Sequence, residues 1–243
     1  MISVGFKTDK GMSRSGNEDS VFVLPDIHLY MVADGVGGHN SGELASRMAV
    51  GYMAQFVALH PIQGVQNGLA LKDYFLTLFG GANELIFKKS VSEQSNRGMA
   101  TTAVLCYLKE DKAYVVNVGD SRCYLVRDGE LRQVTKDHTL VQEMIDQGLI
   151  SEDDAKNRPD KNMITRALGG DETVQPDFFV FDIYPEDTII LCSDGLYGEI
   201  EPGYLAALAS NARTMHGLSN DLVKVANTNG GSDNISVVCI RIQ

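Results

Sequence analysis

The chain has 243 residues, 44% of them hydrophobic, enough for one large core, and no Pro/Ser-rich or charge-run linker divides it, so a single domain over 1–243 is expected. Twenty-one basic against 32 acidic side chains leave a net charge of -11, a balance that repels nucleic acid and anionic membrane surfaces. No apolar run is long enough to span a bilayer, and Met1 to Lys7 lack the charged start and apolar stretch of a signal peptide, so a cytoplasmic protein is expected, with no nucleic-acid partner and no membrane insertion.

Strand-like runs open the chain at Ser3 to Lys7, Ser20 to Leu24 and His28 to Ala33, with Pro25-Asp26 turning between the last two. From Ser41 the period lengthens. Leu44, Met48, Tyr52 and Phe56 recur every four residues, as do Leu71, Phe75 and Phe79, which predicts two amphipathic helices paired antiparallel across Pro61 to Asn67. Strands resume at Thr101 to Leu108, Ala113 to Val118, Arg122 to Val126 and Glu130 to Val134, read as a meander with a tight hairpin turn at Arg127-Asp128-Gly129. Short helical pieces at Leu140 to Gln147 and Ser151 to Asn157 precede an exposed loop at Arg158 to Lys161, and the polar segment of about 140–161 is expected to form a flap. Strands at Asp177 to Asp182 and Thr188 to Cys192, helices near Tyr204 to Ala209 and Leu218 to Thr228, and a last strand ending at Ile242 complete the chain. Runs of strands interrupted by helix pairs point to an α+β fold of antiparallel sheets packed face to face, with helices on the outer faces. Cys106, Cys123, Cys192 and Cys239 each lie inside an apolar run rather than a CxxC pair, so buried reduced thiols are expected.

Four aspartates lie at the ends of apolar strands: Asp34, Asp120 and Asp194 after them, Asp233 just before one. A carboxylate beside a buried strand is costly unless a positive charge compensates it, so the four together predict bound cations. Asp128-Gly129 fits a plain hairpin; Asp34-Gly35 and Asp194-Gly195 lead instead into Gly-rich or helical sequence, where a carboxylate beside a free carbonyl makes a hard-oxygen site. The five histidines show no metal-pair spacing, so Mg²⁺ or Mn²⁺ is preferred over zinc. Two such ions sharing one aspartate would generate a hydroxide nucleophile and clamp a phosphoryl oxygen. Gly35-Val36-Gly37-Gly38 is neither a phosphate loop nor GxGxxG, and the chain has no GxSxG elbow and no kinase HRD or DFG set.

Seven ordered segments resemble the metal-dependent type 2C Ser/Thr protein phosphatases of bacterial type: Arg14 to Asp19, Ala33 to His39, Met99 to Thr102, Val118 to Arg122, Ile164 to Gly169, Cys192 to Leu196 and Gly231 to Asn234. The resemblance covers nearly the whole chain. It implies a four-layer α-β-β-α sandwich of two antiparallel sheets flanked by helix pairs, with two Mn²⁺ or Mg²⁺ ions and a possible third at one end of the sheets. By position Asp34 matches the bridging ligand, Gly35 the carbonyl ligand, Asp194 and Asp233 the other carboxylates, and Asp120 a ligand of the third ion together with Asp194. Arg14 matches the arginine that binds substrate phosphate, Glu18 and Asp19 match acids near the metal waters, and Asn234 a group behind the ligands. Two positions depart from the wider pattern. Val36 stands where many eukaryotic members have a histidine proposed as general acid, which leaves that role open between His39 and a metal-bound water, and Ala100 replaces a common glycine. Arg122 and Arg166 are expected in structural ion pairs.

The implied activity is hydrolysis of phosphoserine and phosphothreonine in proteins by a metal-bridging hydroxide, in a monomer whose partners are a Ser/Thr kinase and that kinase's substrates. The alternatives are a catalytically weak pseudophosphatase that binds phosphopeptides, and a metal-dependent phosphodiesterase or nuclease, which the absence of a basic groove disfavours.

Overall fold

In the computed structural model, which describes residues 2–38, 41–65, 67–156 and 158–243, eleven strands form two antiparallel sheets. One sheet orders its strands β1 (Ile2–Asp9), β11 (Ile235–Ile242), β10 (Thr188–Cys192), β7 (Arg122–Arg127) and β8 (Glu130–Gln133). The other orders them β2 (Asp19–Leu24), β3 (Leu29–Val36), β5 (Ala103–Lys109), β6 (Lys112–Val118) and β9 (Asp177–Asp182), with the short β4 (Ala100–Thr101) beside β3.

Strand periodicity assigns each side chain to a layer. In β3, Leu29, Met31 and Ala33 face the helices α1 (Ser41–Leu59) and α2 (Gly68–Ser92), whereas Tyr30 and Val32 face the other sheet. In β11, Ile235, Val237 and Cys239 face α6 (Pro202–Asn211) and α7 (Met215–Asn229), whereas Val238 and Ile240 point between the sheets. Three apolar layers therefore separate four structural ones, giving the α-β-β-α sandwich. Helix starts are set by polar side chains: Asn67 Oδ1 accepts from the Ala70 N–H at 2.9 Å, and Thr214 Oγ1 from the Gly217 N–H at 3.0 Å. All four cysteines are buried free thiols, as expected.

Two sequence expectations need correction. The strands from Thr101 to Val134 are not one meander: β5 and β6 pair in one sheet, β7 and β8 in the other, and the chain crosses between sheets at Gly119 to Ser121. The turn itself is as read, with Asp128 and Gly129 both at positive φ (53° and 83°), the signature of a type I′ hairpin. In α1 the wholly buried stripe is Ala45, Ala49 and Met53, one position beyond the predicted Leu44, Met48, Tyr52 and Phe56, which pack partly buried at the side. Small residues let the helix approach the sheet closely while the larger neighbours splay outward. In α2, Leu71, Phe75 and Phe79 are buried as predicted. Around the predicted flap, α3 (Leu140–Asp146) and α4 (Glu152–Lys156) match the two short helical pieces; Asn157 lies outside the described residues.

Candidate metal centre

Three strand ends and one sheet crossing bring distant acids to a single cleft of about 280 Å³, lined by Asp34, Asp120, Asp194 and Asp233 with Arg14 and Glu18. The Gly35 backbone and Asn234 also line it. Asp34 lies near the end of β3, directly opposite Asp19 across the β2/β3 ladder. Asp194 opens the short helix α5 (Asp194–Tyr197) that follows β10. Asp233 precedes β11, with its Oδ1 accepting from the Asn234 N–H at 2.7 Å. Gly35 must be glycine here: a Cβ would stand 2.1 Å from the Gly42 carbonyl oxygen and 2.6 Å from that of Glu18.

A polar scaffold behind the cleft fixes these groups. The Asp34 N–H donates to Thr102 Oγ1 at 3.0 Å, and Thr102 Oγ1 shares a 2.7 Å hydrogen bond with Ser121 Oγ beside Asp120. Tyr197 donates its hydroxyl to the Asp120 carbonyl at 3.1 Å, its ring lying under the Arg122 guanidinium. Ser193 Oγ donates to Asp19 Oδ2 at 2.7 Å. Asn234 is a strut: its Oδ1 accepts from the Glu18 N–H at 2.8 Å, and its Nδ2 donates to the Lys10 and Gly16 carbonyls at 2.9 Å each, pinning the loop that carries Arg14. Arg14 Nη2 contacts Asp233 Oδ2 at 2.7 Å, with the arginine side chain 54% exposed. Arg122 pairs with Asp137 and Arg166 with Asp177, structural ion pairs as expected.

The acids strain one another electrostatically. Burial is the main cause that pushes Asp19 up to about 7, with Asp194 and Asp233 adding and the Ser193 and Ser236 hydrogen bonds opposing. Burial and the Asp194 charge push Asp120 up to about 7 as well. Asp34 is driven well above the carboxylate range, first by burial and then by Asp19 and Asp194. Burial and Asp233 raise Asp194, and burial raises Glu18 against the pull of Arg14. Asp19 Oδ1 and Asp194 Oδ1 are buried without a hydrogen-bond partner. Orphaned anionic oxygens among mutually repelling carboxylates, with no imidazole or thiol among the described residues that line the cleft, fit hard divalent cations such as Mg²⁺ or Mn²⁺. Among the described residues no three Asp, Glu, His or Cys side chains form a ready-made ligand cage. An open cleft with few protein ligands suits ions that keep several waters.

All the sequence candidates, Arg14, Glu18, Asp19, Asp34, Gly35, Asp120, Asp194, Asp233 and Asn234, lie in or directly behind this cleft. His39 lies outside the described residues. Sequence reasoning missed Tyr197 and Ser193 as supports and Asn162 and Ile164 as lining. Ser193 and Tyr197 flank Asp194 closely enough to have been suspected; Asn162 carried no signal.

The profile of the family Protein phosphatase 2C matches residues 13–234. The serine/threonine phosphatase stp of Listeria monocytogenes serotype 4b is 37% identical over 97% of this chain and 94% of its own. The solved serine/threonine phosphatase of S. agalactiae superposes with a TM-score of 0.92 at 30% identity, covering 100% of both chains. The catalytic domain of the serine threonine protein phosphatase PstP, solved in complex with 2 manganese ions, does so with a TM-score of 0.85 at 30% identity, covering 99% of this chain and 97% of that one.

Proposed function

The chain belongs to the protein phosphatase 2C family and is a metal-dependent serine/threonine protein phosphatase, and on that premise we propose how its cleft divides the work. Asp34, the Gly35 carbonyl, Asp194 and Asp233 hold two divalent ions, Mn²⁺ or Mg²⁺, and Asp120 with Asp194 holds a third. Bound there, such ions supply Lewis acidity toward a phosphoryl oxygen and make water a stronger acid. The observation that carries the reading is the meeting of four carboxylates and Arg14 in one cleft, with Asp194 Oδ1 left unpartnered.

Arg14 offers a permanently charged fork of donors that matches phosphate oxygens, and the Asn234 strut holds its loop at the cleft mouth. An incoming phosphate competes with Asp233 for that fork. Asp19, held by Ser193 and opposite Asp34 across the ladder, adds to the negative charge that the cations offset. Water attacks phosphorus in line with the Ser or Thr oxygen, the bond from phosphorus to that oxygen breaks, and inorganic phosphate and a free hydroxyl leave. Val36 lines the cleft and has no proton to give the leaving oxygen. The acids repel a phosphate dianion until cations offset them, so turnover depends on added metal.

Asn162 and Ile164 line the cleft just beyond the segment of about 140–161, and that segment is the flap that meets protein substrates. No helix among the described residues is long and apolar enough to cross a membrane. We take the enzyme as a single-domain cytoplasmic monomer that reverses the work of a Ser/Thr kinase, with no nucleic-acid partner. The test is phosphate release from a phosphothreonine peptide with Mn²⁺, with chelator, and with Asp194→Asn. Turnover should vanish with chelator and fall about a hundredfold in the variant. Wild-type turnover by Asp194→Asn, or peptide binding without release, would refute the reading.

A further inference from the structure

His138 joins the sheet crossing that carries Asp120 to another wall of the cleft. The residue is 4% exposed. Its Nδ1 accepts a hydrogen bond from the Gly119 N–H at 3.1 Å, which needs a lone pair there and places the proton of the neutral ring on Nε2. Nε2 lies 3.3 Å from both Asp177 Oδ2 and Arg166 Nη1, and Asp177 Oδ1 accepts from Arg166 Nη1 at 3.2 Å, so both edges of the ring are fixed. The main chain doubles the link: the His138 N–H donates to the Gly119 carbonyl at 3.0 Å, and the His138 carbonyl accepts from the Thr165 N–H at 2.8 Å. The next residue, Thr139, bridges Ile164, which lines the cleft. Burial holds the ring below the usual histidine range despite the Asp177 contact, as a neutral acceptor requires.

We propose that His138 is a positioning residue of this phosphatase, its Nδ1 holding the Gly119 to Ser121 crossing so that Asp120 faces the cleft, and its backbone tying the Thr139 and Ile164 wall to the same crossing. Tyr197 and Thr102 restrain that crossing from the far side, through the Asp120 carbonyl and Ser121 Oγ. On the near side the load falls on His138 and on the Asn117 amide, which donates to the Gly119 carbonyl at 3.1 Å. The inference rests on the cleft being the metal and phosphate site described above.

Two substitutions separate the halves of the ring. His138→Asn places an oxygen near Nδ1 and keeps the acceptor for Gly119; His138→Gln reaches the Nε2 position and leaves Gly119 unpartnered. Full-length chains are compared by thermal unfolding, by Mn²⁺ titration calorimetry, and by kcat and KM on a phosphothreonine peptide. His138→Gln should lose about tenfold in Mn²⁺ affinity or kcat, with KM changed less than about twofold, and His138→Asn should stay within about threefold of wild type. Equal behaviour of two folded variants, whether both retain or both lose function, overturns the inference alone. If His138→Gln does not fold, a folded His138→Asn with weakened Mn²⁺ binding overturns it, and one with wild-type binding supports it. A wild-type chain that neither binds Mn²⁺ nor releases phosphate overturns the site reading and this inference together.

Discussion

Stripping divalent ions with a chelator should make this protein lose stability as pH rises through the acidic range. Asp19 and Asp120 are each pushed up to about 7 in the folded chain, chiefly by burial. In the unfolded chain both return to about 3.9. Between those values the folded state binds more protons than the unfolded one, so the free energy of unfolding falls as pH increases. The penalty is absent below about pH 4 and complete above about pH 7. One carboxyl raised by about three units corresponds to about 4 kcal/mol, a large share of the roughly 5–15 kcal/mol of a typical domain. At about 2–4 °C per kcal/mol for a chain of this size, one group should move the midpoint by about 10 °C. His138 acts with the opposite sign. Its folded pKa is lowered by burial, so stability is lost as pH falls through the unfolded histidine value of about 6.5. Comparing wild type with Asp19→Asn, both in chelator, cancels His138 and removes Asp19 together with its push on Asp34. Calorimetric scans at about pH 5, 6, 7 and 8 should show the wild-type midpoint falling relative to the variant, and added Mn²⁺ should abolish the trend by supplying the missing positive charge. A chelated wild type that tracks Asp19→Asn across that range would refute the electrostatic argument.

Three further outcomes follow from particular contacts. Tyr30 is fully buried between the sheets with no partner for its hydroxyl, so Tyr30→Phe should be neutral or stabilising by up to about 1 kcal/mol in urea; a loss beyond that would reveal a partner for the hydroxyl. Asn83 donates to the Asp171 and Glu172 carbonyls at 3.0 and 3.1 Å and accepts from the Gly169 N–H at 2.8 Å, so Asn83→Ala should cost about 2–3 kcal/mol, and a urea midpoint unmoved from wild type would show the loop is held otherwise. Arg14 and Asp233 form a half-exposed pair, so Arg14→Ala should change stability by less than about 0.5 kcal/mol while raising KM for a phosphopeptide about tenfold or more; unchanged kcat/KM would remove Arg14 from phosphate binding.

Much of the fold was legible because burial leaves a period in the residues. The strand runs, the α2 face at Leu71, Phe75 and Phe79, and the turn at Asp128-Gly129 were all read correctly. The α1 face was read one position off because the stripes through Leu44 and Ala45 have the same spacing, and only docking against the sheet decides which one is pressed inward. The meander was misread for a related reason. Strands β5, β6 and β7 are buried on both faces or nearly so, and such runs carry no alternation that would say which sheet each joins.

What residue chemistry settled by itself was that Asp34, Asp120, Asp194 and Asp233 needed compensating charge, because carboxylates ending apolar strands are costly in any arrangement. That they share one cleft was a tertiary outcome. Asp120 reaches it because the chain changes sheets at Gly119 to Ser121, and Arg14 because Asn234 pins its loop there. Those hydrogen bonds join residues more than 200 positions apart, and local sequence cannot encode a contact that exists only once both sheets have packed.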